Sequence, residues 1–175
     1  MKRSNELERE AIIRCAEFMA AAARTSPKTR GIDNIVSCLI DDKADIKELA
    51  MTMREIGKRE SRPSMERDAG SVESLEAVFI LGVKDNPAGL NCGFCGYKNC
   101  EALAAAGAMC AFNSIDLGIA MGSAVAAANA LHADNRIMYS IGRAVLAKGI
   151  FDKGTRQVLG VPLSISGKNP FFDRK

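Results

Sequence analysis

The chain has 175 residues, with 24 Lys and Arg set against 21 Asp and Glu, for a formal net charge of +3. That length accommodates one domain with a full hydrophobic core, so no disulfide framework is needed to hold it together. The mild charge, the absence of Trp and the 5% aromatic content provide neither the basic footprint nor the stacking platforms of a nucleic-acid binder.

The opening "MKRSNELEREAIIRCAEF" is charged and lacks the apolar centre of a secretory leader, which predicts a cytoplasmic protein with reduced thiols. From Glu6 to Ala23, the residues Ala11, Ile12, Cys15, Phe18, Met19 and Ala22 recur at three- and four-residue steps, predicting an amphipathic helix with Cys15 on its buried stripe. "ARTSPKTRGID" then breaks the pattern with Pro27 and Gly31. Its clustered Arg24, Lys28 and Arg30 suit a small anion better than a polymer. "NIVSCLI" reads as a buried strand containing Cys38 and ending at Asp41 and Asp42. Together with Asp45, these acids close the strand and open a helix over Ala44 to Lys58.

The polar stretch "KRESRPSMERDAGSVES" reads as a mobile connector, and "EAVFILGV" as a second buried strand. A cysteine-rich loop follows it, then a short alanine-rich helix after Cys100 and a long helix over "SIDLGIAMGSAVAAANAL". His132, the only histidine, sits at that helix's end, where it suits the last carbonyls better than a metal. "RIMYSI" is predicted as a strand, "GRAVLAKGIF" as a helix and "QVLGVPLSIS" as a final strand before the tail "GKNPFFDRK". The alternation indicates an α+β or α/β layered domain. No run of eighteen or more apolar residues is free of charge, so no membrane span is expected; Ala120 to Ala130 comes nearest.

Four of the six cysteines lie within "LNCGFCGYKNCEALAAAGAMC", from Leu90 to Cys110. Cys92, Cys95 and Cys100 are spaced C-x2-C-x4-C, and Cys110 follows. Four thiolates satisfy either a tetrahedral zinc ion or a [4Fe-4S] cluster, so ligand count alone does not choose between them. Structural zinc usually takes two C-x2-C knuckles, and only one is present here. Gly93 and Gly96 let the backbone curl around a bulkier group and turn amides toward its sulfurs. Asn99 is placed to cap the following helix, putting the Cys100 sulfur at the positive end of its dipole. These features rank a cluster first, zinc second and a bare dithiol redox pair third. Cys15 and Cys38, each alone in an apolar run, read as ordinary buried side chains.

"CGFCGYKNC" resembles the C-x2-C-G-Y-x2-C motif of four-cysteine ferredoxin-like domains, which implies an iron-sulfur cluster on Cys92, Cys95, Cys100 and Cys110. In those domains the fourth cysteine lies further downstream than Cys110 does here. "RTSPKTRGID", "DLGIAMGSAVAAANAL" and "VLGVPLSISGKNPFFDR", in that order, resemble segments of the FMN-dependent nitroreductase family. That resemblance implies a nitroreductase-like α+β fold in a single domain over residues 1–175, with the cysteine motif embedded at residues 90–110. It also implies a homodimer and an FMN phosphate held by Arg24, Ser26, Lys28 and Arg30, with small residues from Gly118 to Ala124 beside the flavin ring. Taken together, the chain resembles an uncharacterised ferredoxin-domain family.

The function expected from these readings is iron-sulfur electron transfer, extended to FMN-linked oxidoreductase activity where the flavin is held, with a redox partner protein or a small-molecule acceptor. The alternatives are a zinc-stabilised, non-catalytic interaction module and a flavin reductase with structural cysteines. No general acid or base stands out, and neither a phosphate-loop motif nor a zinc-protease helix occurs.

Overall fold

The computed structural model describes residues 1–171; residues 172–175, the end of the predicted tail and of the third nitroreductase-like segment, lie outside the described residues. Helix α1 runs Ser4–Thr25 and buries Ile12, Cys15, Ala16, Met19 and Ala23; of the expected stripe Ile12, Cys15 and Met19 are buried, whereas Ala11 and Phe18 are exposed, because the buried face is turned toward Ala16 and Ala23. A short 3-10 turn at Thr29–Gly31 leads to β1 (Ile35–Ile40). Asp42 caps α2 (Lys43–Arg59) by accepting the amides of Ala44 at 2.8 Å and Asp45 at 3.2 Å. After α3 (Pro63–Glu73) come β2 (Ala77–Lys84), the cysteine segment with α4 (Cys100–Ala105), α5 (Ala111–Ala130), β3 (Asp134–Asn135), α6 (Tyr139–Lys148) and β4 (Thr155–Ser164). The result is an α+β fold with six α-helices and one four-stranded sheet.

The sheet order is β1-β2-β4-β3 and every pairing is antiparallel. In β2 the pleat sends Ala77, Phe79, Leu81 and Val83 toward α1 and α5, while Val78 and Ile80 face α2, α3 and α6. Both faces of β2 are therefore buried, which explains its unbroken apolar sequence.

Three expectations need correction. The stretch read as a mobile connector contains α3: Pro63 starts it, and Met65, Ala69 and Val72 bury one face at helical spacing. Asp68 on the same helix accepts a hydrogen bond from the buried Ser140 hydroxyl at 2.8 Å, tying α3 to α6. Next, "RIMYSI" is not a strand: pairing is limited to Asp134–Asn135 and a bridge from Met138 to Gly160, and the helix starts at Tyr139. A Cβ on Gly142 would lie 1.7 Å from the Val158 carbonyl, and one on Gly160 would lie 2.1 Å from Ile141. These two glycines let α6 sit directly on β4, which the apolar run alone does not reveal. Finally, β1 is a half-buried edge strand, because it pairs with β2 on one side only.

By length and composition α5 is apolar enough to cross a membrane, with a mean hydropathy of 1.3, and 39% of that window is buried in the fold. It packs against α1 and the sheet.

Candidate metal centre

The site begins where β2 ends. Beyond Lys84 the chain leaves the sheet and reaches α5 at Ala111 with only α4 as regular structure between them. Positive φ at Asn91, Gly93, Gly96 and Gly107 turns the backbone repeatedly. The Gly96 amide bonds the Gly93 carbonyl at 2.9 Å, so this pair closes the turn between Cys92 and Cys95.

The contact expected between a glycine amide and a sulfur is made by Asn91 instead. Its amide donates to Cys100 Sγ at 3.4 Å, while its Oδ1 accepts the Cys100 amide at 2.9 Å. Asn91 carries no metal-binding signature, so the motif does not point to it; its neighbourhood to Cys100 arises only after the loop closes. Asn99 caps α4 as predicted, its Oδ1 accepting the Ala102 amide at 2.8 Å. Cys110 occupies the corresponding N-terminal position of the much longer α5, and the Asn113 amide bonds its carbonyl at 3.0 Å. Negative sulfur is favoured at such a helix end.

Cys92, Cys95, Cys100 and Cys110 all border one narrow cavity of about 10 Å³, closed by Leu103, Phe112 and neighbouring backbone. Cys92 is exposed, Cys95 and Cys100 are half-buried and Cys110 is buried. The Phe94 and Phe112 rings stack with centroids 5.5 Å apart, joining the loop to α5. Among the described residues, no three His, Cys, Asp or Glu side chains converge as a preformed set for a single ion. In kind and number four cysteines match the ligands of a thiolate-bound metal group, and two of them stand at helix N-termini, but they are not gathered around one point.

Cys15 and Cys38 stand apart from the cavity. Burial pushes the Cys15 thiol up, and pushes that of Cys38 up to about 11.

The residues predicted for a flavin phosphate are engaged within the chain. Arg24 pairs with Asp33 and also reaches the Ile35 carbonyl at 3.3 Å. Burial alone would raise the Asp33 carboxyl, but Arg24, the Ile35 amide and the Lys28 charge together hold it below its ordinary value. Ser26 donates to the Ala23 carbonyl at 2.8 Å. Lys28 Nζ caps the end of α1 through the carbonyls of Ala23 and Arg24, each at 2.6 Å. Arg30 donates to the Ala88 carbonyl at 2.8 Å, immediately before the cysteine loop. Asp116 fixes the basic loop in place by accepting the Thr29 amide at 3.0 Å and hydroxyl at 2.9 Å.

A second opening, a cleft of about 330 Å³, lies between α5, α6 and β4. Leu117, Leu146, Val158 and Leu159 make it apolar, and Tyr139, Arg143, Arg156 and Gln157 add polar groups. Of the small residues predicted beside a flavin ring, Gly118 lines this cleft, whereas Ala120 and Ala124 are packed into the core.

A protein of Archaeoglobus fulgidus is 39% identical over 178 residues, covering 97% of this chain and 95% of its own length. The sequence profile described as "Uncharacterized protein containing a ferredoxin domain (DUF2148)" matches residues 106–174. The chain belongs to this ferredoxin-domain family. The matched stretch includes Cys110 and starts after the other three loop cysteines.

Solved structures that this ferredoxin-domain protein resembles include nitroreductases and a hypothetical oxidoreductase. A nitroreductase with bound FMN from Desulfitobacterium hafniense superposes with a TM-score of 0.63 at 14% identity, over 89% of this chain and 78% of the other. A nitroreductase family protein from Clostridium novyi gives 0.61 at 12% identity, covering 90% and 74%. The hypothetical oxidoreductase YcnD from Bacillus subtilis gives 0.59 at 12% identity over 89% of this chain, which spans only 58% of that structure's length. At these identities the likeness establishes the nitroreductase-like fold. A ferredoxin-domain family on that fold points to a redox role.

Proposed function

We propose that this ferredoxin-domain protein is a cytoplasmic iron-sulfur electron carrier whose cluster is held by Cys92, Cys95, Cys100 and Cys110. The observation that carries the reading is that all four cysteines line the same narrow cavity although Cys110 lies outside the compact C-x2-C-x4-C motif. A cluster bound there would supply one-electron transfer, at a potential set by its hydrogen bonds, net charge and exposure. The chain's own contribution is positional. Asn91 orients Cys100, the amino end of α5 favours a thiolate at Cys110, and the Phe94–Phe112 stack ties the loop to α5. Zinc ranks second because it needs four sulfurs about 2.3 Å from one point. The exposed Leu90, Phe94 and Tyr97 around Cys92 offer an apolar surface to a redox partner protein.

The cleft between α5, α6 and β4 supports a second reading, an FMN-linked oxidoreductase with its flat ring against Gly118. Its size and apolar lining suit a small ligand. Nitroreductase-fold proteins are often dimers, and the exposed, uncharged face of α5 with Ile115 and Ile119 supports a homodimer here as well.

Anaerobic purification followed by iron, sulfide and visible-absorption analysis tests the first reading. The expected result is a brown protein with iron and sulfide in equal amounts, lost in a Cys110→Ser variant. Colourless protein with stoichiometric zinc would sink it. Titration with FMN tests the second reading: quenching of flavin fluorescence supports it, and unchanged fluorescence removes it.

A further inference from the structure

The iron-sulfur reading requires the irregular segment between β2 and α5 to hold four sulfurs still. Leu103, almost fully buried, is its apolar anchor. Two side chains from outside the segment donate to its backbone, one near each end. Arg30 Nη1 reaches the Ala88 carbonyl at 2.8 Å, four residues before Cys92. Arg156 Nη1 reaches the Gly107 carbonyl at 2.9 Å, three residues before Cys110.

We propose that Arg30 and Arg156 are positioning residues for the metal centre, clamping the segment that carries the first and last of its four thiols. The proposal rests on the iron-sulfur reading, and it gives Arg30 a role other than holding a flavin phosphate.

Each arginine is itself fixed. The Arg30 guanidinium lies so near the loop backbone that a Cβ on Gly89 would sit 3.4 Å from Nη1. Arg30 adopts a left-handed φ of 58°, which a non-glycine residue holds only where its surroundings impose it. Arg156 also pairs with Asp85 Oδ2 at 2.7 Å. The other carboxylate oxygen, Asp85 Oδ1, is buried with no hydrogen-bond partner among the described residues, and the Asp85 amide is tied to the Gly154 carbonyl at 2.8 Å. Arg156 thus joins the start of the segment, its end and β4 through one guanidinium.

The chemistry suits the task. A guanidinium stays charged at every working pH and carries five donors, so it can bind a carbonyl and still present positive charge to its surroundings. Four thiolates around an iron-sulfur cluster leave a net negative charge. Removing either positive charge, which for Arg156 also leaves Asp85 unpaired at the start of the segment, would disfavour the reduced, more negative state.

The test uses the full-length protein, reconstituted anaerobically with iron and sulfide, as wild type and as Arg30→Gly, Arg156→Gln and Arg156→Lys. Arg14→Gln, on the exposed side of α1, serves as the control. Loss of visible absorption after addition of a chelator is expected to run about 10-fold faster in Arg30→Gly and Arg156→Gln, the scale on which residues supporting metal ligands act. Their midpoint potentials are expected to fall, while Arg156→Lys, which keeps the charge, stays near wild type. Arg30→Gly separates positioning from folding: glycine is at ease at this φ, so the metal-free protein is expected to melt no lower than wild type. Wild-type rates and potentials in both charge-removing variants would overturn the clamp and leave the iron-sulfur reading standing. A melting temperature of metal-free Arg30→Gly that falls in step with its cluster loss would also overturn it, in favour of a purely structural role. Wild-type protein that takes up no iron or sulfide would end both.

Discussion

Asp116 is the one charged side chain on α5, and it is almost fully buried. Its carboxylate accepts both the amide and the hydroxyl of Thr29, 87 residues away in sequence, and so joins the basic loop to the long helix. Asp116→Ala would leave both donors without their acceptor and is expected to cost about 2–4 kcal/mol in chemical denaturation. Asp116→Asn, which keeps one acceptor oxygen, should lose less; equal stability of all three proteins would show that the loop is held by other contacts. Cys38 gives a second test at this scale. With its thiol at about 11 rather than 9.0, the thiolate fraction at a given pH is about 100-fold lower than for an ordinary thiol, and alkylation followed by peptide mapping should be slowed accordingly. The shift is upward on folding, so the stability it reflects is complete below pH 9 and is lost as the pH rises toward about 11. Cys38→Ala should flatten that part of the alkaline stability curve. An unchanged slope would assign it to other groups.

At the scale of elements, the contact between α6 and β4 shapes one wall of the cleft. The 1.7 Å approach between a Cβ on Gly142 and the Val158 carbonyl leaves no room for even a methyl group, because the obstacle is backbone. Gly142→Ala is expected to destabilise the protein by about 3 kcal/mol, the upper part of the range for overpacking, and a loss below about 1 kcal/mol would mean that α6 can slide away. This contact also shows why the sequence was readable in some places and not in others. The helices α1 and α2 carry apolar residues at helical spacing over about three turns, and β2 is an unbroken apolar run, so each announces itself. In α3 the same spacing is carried by only Met65, Ala69 and Val72 among charged neighbours, and it is easily taken for loop. The strand expected at "RIMYSI" is a helix start because glycines far apart in sequence let α6 and β4 touch. The cysteine motif was legible for the same reason as α1, since its signal is local spacing. Asn91 and Arg156 were not, because an amide-to-sulfur contact and a guanidinium reaching a carbonyl 49 residues away depend on how the loop closes.

For the molecule as a whole, α5 has two faces of different kinds. Inward, Leu117, Ala120, Met121, Ala124 and Ala128 join the core beneath α1 and the sheet. Outward, Ser114, Ile115, Gly118, Ile119 and Gly122 are exposed and carry no charge. A Cβ on Gly118 or Gly122 would meet nothing within 4 Å inside the chain, so neither glycine is required there by packing within the chain. An uncharged row of isoleucines and glycines on the surface fits the self-complementary contact of a twofold dimer, where glycines allow close helix approach. Such a contact needs roughly 800 Å² per partner, more than one helix face supplies, so the adjoining Phe94 and Phe112 region must contribute if the dimer is stable. The proposed homodimer therefore predicts coupling between association and the metal loop. Ile119→Lys places a charge at the centre of the face without touching the core, and it is expected to convert a dimer into a monomer by light scattering. The cysteine loop should then become more open to chelator. A wild-type protein that is monomeric at all concentrations would remove the homodimer, whereas a dimer unaffected by Ile119→Lys would move its interface away from α5.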